Sequence, residues 1–244
     1  LAQGLRNDPQ AAALFFNRDG APLAAGQTLR NPALAAVLRT VATQGAAAFY
    51  RGEIARDIVA RVRGHAGNPG LLDEADLAGY RAIERAPLCF EHRRWRLCGM
   101  PPPSSGTLAV GQMLGMLETR GIEALRPRPA PWGLEPDAQA VHLFSEAGRL
   151  AFADRARYVA DPDFAPLPGL GAATLLDADY LKQRAALIGP RSMGRAAAGT
   201  PLGPLMSLAD DHSPELASTT QVSVVDCFGN ALSMTSTIEN GFGA

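Results

Sequence analysis

Two threonines, Thr219 and Thr237, have the residue type and spacing that nucleophilic chemistry requires. Between them, apolar residues alternate with small polar ones, which is the period of a half-buried strand. Residues 226–230, DCFGN, interrupt this alternation and include a glycine that can adopt a positive φ. The segment is therefore predicted to form a β-hairpin with Thr219 on the first strand and Thr237 on the second.

The position of the turn decides which residues face each other. If the turn is centred on Phe228, Thr219 lies opposite Thr237. Gln221 then lies opposite Thr235. Opposed residues of antiparallel strands point to the same face with Cβ atoms about 4.5–5.5 Å apart, so the two threonine hydroxyls can form a hydrogen bond. This is the geometry of a nucleophile with its partner. Threonine is also common in strands for steric reasons, so a purely structural hairpin is the alternative.

The composition indicates an ordinary globular protein. The 244 residues are 47% hydrophobic and 19% charged, with a formal net charge of −1, which suits one sizeable core or two small ones. Near-neutral charge gives no electrostatic footprint for nucleic acid, and the short basic cluster Arg93, Arg94 and Arg96 is predicted to be a solvated hairpin tip. No apolar run approaches the roughly 20 residues that span a bilayer. Because the chain lacks an initial methionine and a signal sequence, we expect it to be a piece of a longer protein.

No motif predicts a metal or an organic cofactor. The four histidines match neither a metal-binding nor a catalytic-triad spacing, and the sequence contains no phosphate-binding glycine–lysine motif. The three cysteines lack zinc spacing. Cys89 and Cys98 flank a predicted hairpin with its turn at Arg93–Arg94, which would place the thiols opposite each other. Both a disulfide in an oxidising compartment and two reduced thiols are compatible with this pattern.

Helices are predicted through most of the chain before the threonine hairpin. Their predicted starts are Asn31–Pro32, about Gly52, Asp73, Ser104 or Ser105 as a cap, Asp137 and about Asp177. The predicted inward-facing residues are Leu34, Val37, Leu38 and Val41 in the first helix, and Val141, Phe144, Ala151 and Phe152 in the long helix that runs to about Val159. Residues 190–218 are rich in Gly, Pro and Ala with weak periodicity, so they are predicted to be a flexible segment that leads to Thr219.

Four collinear blocks of the sequence resemble the γ-glutamyltranspeptidase family of N-terminal nucleophile (Ntn) hydrolases. The blocks are GQTL with FYRGEIA and DLAGYRAIERAP, then MPPPSSG, then FADRARYVADPDF, and finally TTQVSVVDCFGNALSMTSTIENGFG, and they extend from about Gly26 to Gly243. The resemblance implies an α+β fold, the four-layer αββα Ntn sandwich, of which this chain would contain a part. It also implies that residues 1–189 end a large subunit, that 190–218 precede a cleavage site, and that 219–244 begin a small subunit, all within one domain.

Members of this family cleave themselves before the first threonine of the last block. By resemblance, the cleaved bond is Ser218–Thr219. Thr219 would be the nucleophile, and its freed α-amine would be the general base. Thr237 would hold the Thr219 hydroxyl by a hydrogen bond. Glu239 would bind the α-ammonium group of the donor, although many family members have Asn there, and the family usually has an acid where Gln27 stands.

The resemblance implies a γ-glutamyltransferase or glutathione hydrolase without a cofactor. It would transfer the γ-glutamyl group of glutathione or a similar donor to water, an amino acid or a peptide, as a large/small subunit heterodimer in the periplasm or outside the cell. The alternatives are a cephalosporin or glutaryl acylase on the same scaffold and a non-processing binding or structural relative. The family's carboxylate-clamping arginine lies upstream of Leu1 and its oxyanion-hole glycines lie beyond Ala244. The isolated 244 residues are therefore expected to be inactive on γ-glutamyl substrates.

Overall fold

The computed structural model of the protein describes residues 2–202 and 219–238. The chain forms two compact units that divide between residues 83 and 84. The first unit consists of helices joined by turns. These helices are α1 (Ala2–Asn7), α2 (Pro9–Phe15), α3 (Pro32–Gln44), α4 (Ala47–Tyr50), α5 (Glu53–Arg63) and α6 (Glu74–Gly79).

The helix starts that local side-chain chemistry predicts in this unit are confirmed. The Asn31 side chain accepts a hydrogen bond from the Leu34 backbone N–H at the start of α3. Asp73 and Asp76 form a reciprocal capping box at the start of α6. The predicted inward stripe of α3 is wrong, since no residue of this helix is buried and Leu34 and Leu38 are 51% and 60% exposed. An apolar stripe is buried only where another element covers it.

The second unit combines a helical core with small antiparallel sheets. Its strands are β1 (Leu88–His92), β2 (Trp95–Gly99), β3 (Arg128–Ala130), β4 (Gly133–Glu135), β5 (Thr219–Val225) and β6 (Ala231–Thr237). Its helices are α7 (Gly106–Thr119), a 3-10 helix (Ile122–Ala124), α8 (Ala138–Tyr158), α9 (Ala172–Leu175) and α10 (Ala178–Ala186). Each sheet in the described part of the chain pairs two consecutive strands. The α+β class is thus confirmed.

The core of this unit lies between α7, α8 and α10. Its most buried side chains are Leu108, Met116, Leu117, Leu143, Ala147, Leu150, Ala151, Tyr158, Leu175, Tyr180, Leu181, Ala185 and Ile188. Gly111 and Gly115 allow α7 to lie close to its neighbours, because a Cβ would come within 2.8 Å of Leu176 at the first position and 2.5 Å of Leu181 at the second. Close packing of three helices around apolar side chains therefore forms the core of this unit.

The buried face of α8 differs from the predicted one. Its buried residues are Leu143, Glu146, Ala147, Leu150, Ala151, Asp154 and Tyr158. Of the predicted inner residues only Ala151 is buried, whereas Val141, Phe144 and Phe152 are between 47% and 57% exposed. The sequence of α8 contains two stripes that could be buried. The helices α7 and α10 cover the stripe that contains Glu146 and Asp154.

The prediction that a serine side chain caps α7 by a hydrogen bond is also wrong. Ser105 occupies the N-cap position, but its side chain makes no capping hydrogen bond. Its Oγ accepts a hydrogen bond from Arg155 Nε at 2.9 Å instead. The serine therefore connects the start of α7 to α8.

The hairpin of β1 and β2 has the predicted turn. His92 pairs with Trp95, so Arg93 and Arg94 form the loop, and Arg93 has a φ of 57°. Cys89 and Cys98 are directly opposed and form a disulfide. Of the two states that the sequence left open, the structure has the oxidised one.

Candidate active-site hairpin and the buried polar cluster

The register of the β5–β6 hairpin is the one predicted from the sequence. Thr219 pairs with Thr237, and Gln221 pairs with Thr235. The two threonines therefore lie directly across from each other at the open end of the hairpin. Ser218 and Glu239, the other predicted site residues, lie outside the described residues.

The turn is fixed mainly by the side chain of Asp226. Its carboxylate accepts hydrogen bonds from the backbone N–H groups of Phe228 and Asn230 at 2.9 and 2.8 Å, and from the Asn230 side chain at 2.7 Å. These hydrogen bonds, chiefly those from Asn230, lower the pKa of Asp226. Gly229 has a φ of 84°, which a residue with a side chain rarely adopts. This local network sets the loop length, and the loop length sets the register.

The alternation of side chains gives the hairpin two different faces. One face is mainly polar and carries Thr219, Gln221, Ser223, Ser233, Thr235 and Thr237, with the apolar pair Val225 and Ala231 next to the turn. The Gln221 amide links three of these positions, because its nitrogen donates to Ser233 Oγ at 2.7 Å and its oxygen accepts from the Thr235 hydroxyl. The other face is mainly apolar, with Val222, Val224, Leu232 and Met234. All fourteen strand positions, seven in each strand, are exposed.

A second group of polar residues is buried in the helical core. We define the buried polar cluster as Gln112, Glu146, Asp154 and Arg184, whose exposed fractions are between 1% and 4%. Sequence reasoning missed these residues as a group, since carboxylates and guanidinium groups on helices usually face water. The signal that could have found them is spacing: Glu146 and Asp154 share the helical face of the buried Leu143 and Leu150.

Asp154 is the centre of this cluster. Its Oδ2 accepts hydrogen bonds from Gln112 Nε2 at 3.1 Å and from the Tyr180 hydroxyl at 2.8 Å. Its Oδ1 lies 2.9 Å from Arg184 Nη2 and accepts a hydrogen bond from the Gly199 backbone N–H at 2.8 Å. Burial and the neighbouring carboxylate raise the pKa of Tyr180, so its hydroxyl remains protonated and acts as a donor. Every oxygen of this buried carboxylate is therefore satisfied.

Glu146 uses its carboxylate in the same way two turns earlier on α8. Its Oε2 accepts a hydrogen bond from the Met193 backbone N–H at 2.8 Å, and its Oε1 accepts one from Ser192 Oγ at 3.0 Å. Arg149 Nη1 lies 3.1 Å from Oε1. The Met193 N–H, followed by Ser192 and the charges of Arg149 and His142, lowers the pKa of Glu146.

The carbonyl groups of the same segment are bound by donors from α8 and α10. Arg149 Nε donates to the Gly194 oxygen at 3.0 Å, and Arg184 Nη2 donates to the Ala197 oxygen at 2.9 Å. The Tyr158 hydroxyl donates to the Gly199 oxygen at 2.6 Å. Residues 192–199, which we call the anchored segment, thus contact both α8 and α10, although the sequence predicted flexibility from residue 190.

A groove of about 960 Å³ lies between α8 and residues 194–200. Its lining includes the basic residues Arg149, Arg157 and Arg195. Among the described residues, no group of three or more His, Cys, Asp or Glu side chains is arranged to hold a metal ion. No helix in the described ranges is both long and apolar enough to cross a membrane.

Comparison with known proteins gives consistent matches. The family model described as Gamma-glutamyltranspeptidase matches residues 1–244. An acylase ACY 1 proenzyme of Pseudomonas sp. (strain V22) is 38% identical over 243 residues, which is all of this chain and 39% of the relative. A glutathione hydrolase proenzyme of Escherichia coli (strain K12) is 34% identical over 239 residues, 98% of this chain and 37% of the relative.

The solved structures agree with the sequence matches. The crystal structure of Helicobacter pylori gamma-glutamyltranspeptidase aligns with a TM-score of 0.63 and 28% identity, and covers 78% of this chain and 53% of that one. The chain spans about two fifths of the length of the curated relatives.

Proposed function

This chain belongs to the gamma-glutamyltranspeptidase family, and we propose on that basis that its parent protein is a self-cleaving γ-glutamyltransferase and glutathione hydrolase. The observation that supports this most directly is the register of the hairpin. It places Thr219 opposite Thr237 on the polar face, and Thr219 is the residue that processing would convert into an N-terminal nucleophile.

Self-cleavage proceeds in two steps. The Thr219 hydroxyl oxygen bonds to the carbonyl carbon of Ser218 while the Ser218–Thr219 C–N bond breaks, and the hydroxyl proton ends on the released amine. Water then hydrolyses the ester between the two residues. The products are a carboxylate at Ser218, a free hydroxyl on Thr219 and a free α-amine on the same residue.

The mature α-amine then serves as the general base for its own side chain. Its reference pKa of about 7.7–8.0 suits proton transfer near neutral pH. Thr219 attacks the γ-glutamyl amide, the amine of the donor leaves with a proton, and an ester to Thr219 remains. Water, an amino acid or a short peptide resolves this ester. Thr237 orients the hydroxyl of Thr219, and no cofactor is required.

Glu239 is proposed to bind the α-ammonium group of the γ-glutamyl donor. Thr219 and Thr237 share the polar face, and Glu239 follows Thr237 by two positions in the sequence. A carboxylate there supplies the charge that complements an ammonium group.

The four-layer αββα sandwich is the fold we propose for the whole protein. Two exposed apolar surfaces support it. The hairpin presents Val222 and Met234 on the face opposite to that of Thr219 and Thr237. Helix α8 presents Val141, Phe144 and Phe152 on the side away from the helical core. A sheet covered by helices buries surfaces of this kind.

In the same scheme, residues 1–189 belong to the large subunit and 219–244 begin the small subunit. Residues 190–218 connect them in the precursor, and all three belong to one domain. After cleavage, the protein is a heterodimer. Export to the periplasm or the cell exterior is also proposed, because the Cys89–Cys98 disulfide is of a kind that persists in oxidising compartments.

A cephalosporin or glutaryl acylase is the second candidate function. The 38% identity with an acylase proenzyme favours it. The threonine chemistry is the same in both cases, and the difference lies in whether the site binds the α-ammonium group of the acyl donor. A glutaryl group lacks this ammonium group, whereas a γ-glutamyl group carries it.

The experiment starts from the full-length parent protein, its Thr219→Ala variant and its Glu239→Gln variant. Intact mass shows whether a break occurs between Ser218 and Thr219, and the alanine variant is expected to stay in one piece. Turnover of a γ-glutamyl anilide is then compared with turnover of the matching glutaryl anilide. The γ-glutamyl substrate is expected to react faster, and Glu239→Gln is expected to reduce that preference. A single uncleaved chain without turnover would support the non-processing alternative.

A further inference from the structure

We propose that Glu146 and Asp154 are positioning residues for self-cleavage, and that they hold the anchored segment on the helices before and after the Ser218–Thr219 bond breaks. This inference rests on the proposed self-cleavage, whereas the anchoring itself is independent of it. The two carboxylates act neither as nucleophile nor as substrate contacts in this proposal. They hold the part of the chain that leads to the cleavage site.

Hydrogen bonds run from the backbone of the anchored segment to the buried carboxylates. The two buried carboxylates accept from the backbone N–H groups of Met193 and Gly199, near the two ends of the anchored segment. The carbonyl groups between and beside them are bound by Arg149, Arg184 and Tyr158. Side chains from two helices therefore bind five backbone polar groups of a segment without regular secondary structure.

Releasing the anchored segment would remove partners from both buried carboxylates. Glu146 and Asp154 are each 1% exposed. If the segment left, Glu146 would lose its bonds to Ser192 and Met193, and Asp154 would lose its bond to Gly199. Leaving a buried charge with fewer partners is strongly unfavourable. Release of the anchored segment therefore costs three hydrogen bonds to carboxylates.

The anchored segment also packs tightly against the cluster at Gly199. A Cβ built on Gly199 would lie 2.4 Å from the Tyr180 hydroxyl oxygen and 2.7 Å from Arg184 Cδ. Both of these side chains are buried. The backbone of the anchored segment thus approaches the cluster as closely as a glycine permits.

The position of the anchored segment gives it a role in the reaction. Gly199 precedes Thr219 by 20 positions. Fixing this point limits the positions that the scissile bond can reach, and so raises the fraction of time in which Thr219 is correctly placed for attack. The six hydrogen bonds described above join the anchored segment to α8 and α10, and none of these six involves residues 219–238. We therefore expect these six hydrogen bonds to persist after the Ser218–Thr219 bond breaks.

Trypsin tests the anchoring directly. Arg191 and Arg195 lie in or beside the anchored segment, and the sequence has no lysine or arginine between Arg195 and Thr219. In the processed full-length protein, cleavage after Arg195 releases residues 196–218 as one peptide that mass spectrometry can identify. We expect this peptide to appear slowly in the wild type. In Asp154→Asn and Glu146→Gln it should appear about tenfold faster or more, because each variant weakens contacts of a charged group to the segment.

A glycine pair provides a matched control. Gly199→Ala forces a methyl group against buried atoms, whereas a Cβ at Gly189 meets no atom within 4 Å. Gly199→Ala is expected to accelerate release of residues 196–218 as the carboxylate variants do, although it leaves both carboxylates intact. Gly189→Ala is expected to match the wild type. Equal protection in Gly199→Ala, Asp154→Asn and the wild type would overturn the proposed anchoring.

The time course of precursor cleavage tests the positioning role. We expect Asp154→Asn and Gly199→Ala to slow formation of the two subunits by about tenfold or more, and Gly189→Ala to leave it unchanged. The same substitutions are placed in the Thr219→Ala precursor, and their thermal unfolding midpoints are measured. Slowing that persists at temperatures where these precursors remain folded separates positioning from a loss of stability. Normal cleavage rates in variants that have lost trypsin protection would overturn the positioning role.

The outcome is distinguishable from failure of the proposed function. If the wild type never cleaves itself, the proposed function fails. Protection at Arg195 can still be measured in that unprocessed chain, through the appearance of a new terminus at Ala196. Protection without cleavage would retain the anchoring and overturn its role in processing.

Discussion

The buried polar cluster and the threonine hairpin position polar side chains in opposite ways. Asp154 and Glu146 are buried. Asp154 has partners on α7, α10 and the anchored segment, and Glu146 has partners on its own helix and the anchored segment. Thr219 and Thr237 are exposed. Their positions depend on strand pairing and on a turn that is held by hydrogen bonds to the carboxylate of Asp226.

The buried polar cluster stabilises the folded chain, whereas the hairpin carries the residues of the proposed reaction. The two carboxylates of the cluster already have partners, which lie on the helices and on the anchored segment. A two-stranded hairpin alone is at best marginally stable in water, and this one presents Val222, Val224, Leu232 and Met234 to solvent. The proposed chemistry therefore depends on a surface that covers the apolar face of the hairpin, whereas the anchoring does not. Substitutions in the two regions should consequently affect different measurements.

The largest expected effect is loss of the proposed nucleophile. Thr219→Ala in the full-length protein is expected to abolish self-cleavage and to lower turnover of a γ-glutamyl anilide by at least about a thousandfold. Its thermal unfolding midpoint should change little, because residue 219 is exposed. Thr220→Ala, the neighbouring threonine on the other face, is the control and should still cleave. Cleavage at the normal rate in Thr219→Ala would show that the hairpin is structural.

The next effect concerns the cluster. Asp154→Ala leaves Arg184 buried without its ion-pair partner, and is expected to lower the free energy of unfolding by about 3–5 kcal/mol. Urea denaturation of the Thr219→Ala precursor measures this without interference from processing. Glu135→Gln, which removes one charge of the exposed Arg128–Glu135 pair, should change the midpoint little. Similar losses in the two variants would contradict the distinction between buried and exposed polar groups.

A smaller effect is expected at the partner of the nucleophile. Thr237→Val keeps the shape of the side chain but removes the hydroxyl. It is expected to slow self-cleavage by about 10–100-fold, the range of a lost orienting hydrogen bond in a reaction. Thr237→Ser should restore most of the rate, and Ser236→Ala, on the other face, should leave it unchanged. Equal rates for the valine and serine variants would remove Thr237 from the proposed mechanism.

The smallest effect is a pH dependence in the cluster. Contacts led by the Met193 N–H lower the pKa of Glu146 below its ordinary value of 4.5. A carboxyl group whose pKa is lowered by folding stabilises the protein fully above its unfolded pKa, and this contribution is lost as the pH falls through the folded value. As the pH is lowered below about 4.5, the thermal unfolding midpoint is therefore expected to decrease. This decrease should be less steep in Glu146→Gln. Equal slopes in the two proteins would show that Glu146 does not contribute.

Much of the hairpin could be predicted because its determinants are local. Asp226, Gly229 and Asn230 fix the turn, and the alternation of side chains fixes the faces. The position of the turn and this alternation together determine that Thr219 pairs with Thr237. The helix starts at Asn31 and Asp73 were predictable for the same reason, since a cap and its partner are within three residues of each other.

The face of α8 could not be predicted in this way. The sequence offers two stripes on this helix, and the one with Val141, Phe144 and Phe152 is the more apolar. Tertiary packing buries the other stripe, because Gln112 from α7 and Arg184 from α10 bring the partners that Asp154 requires. A carboxylate can be buried only when such partners are present, and these are 42 and 30 positions away. The sequence alone determined the turns, caps and strand register, since these depend on residues close along the chain. The tertiary structure decided which charges are buried and which segment they hold, since these depend on residues brought together only by folding.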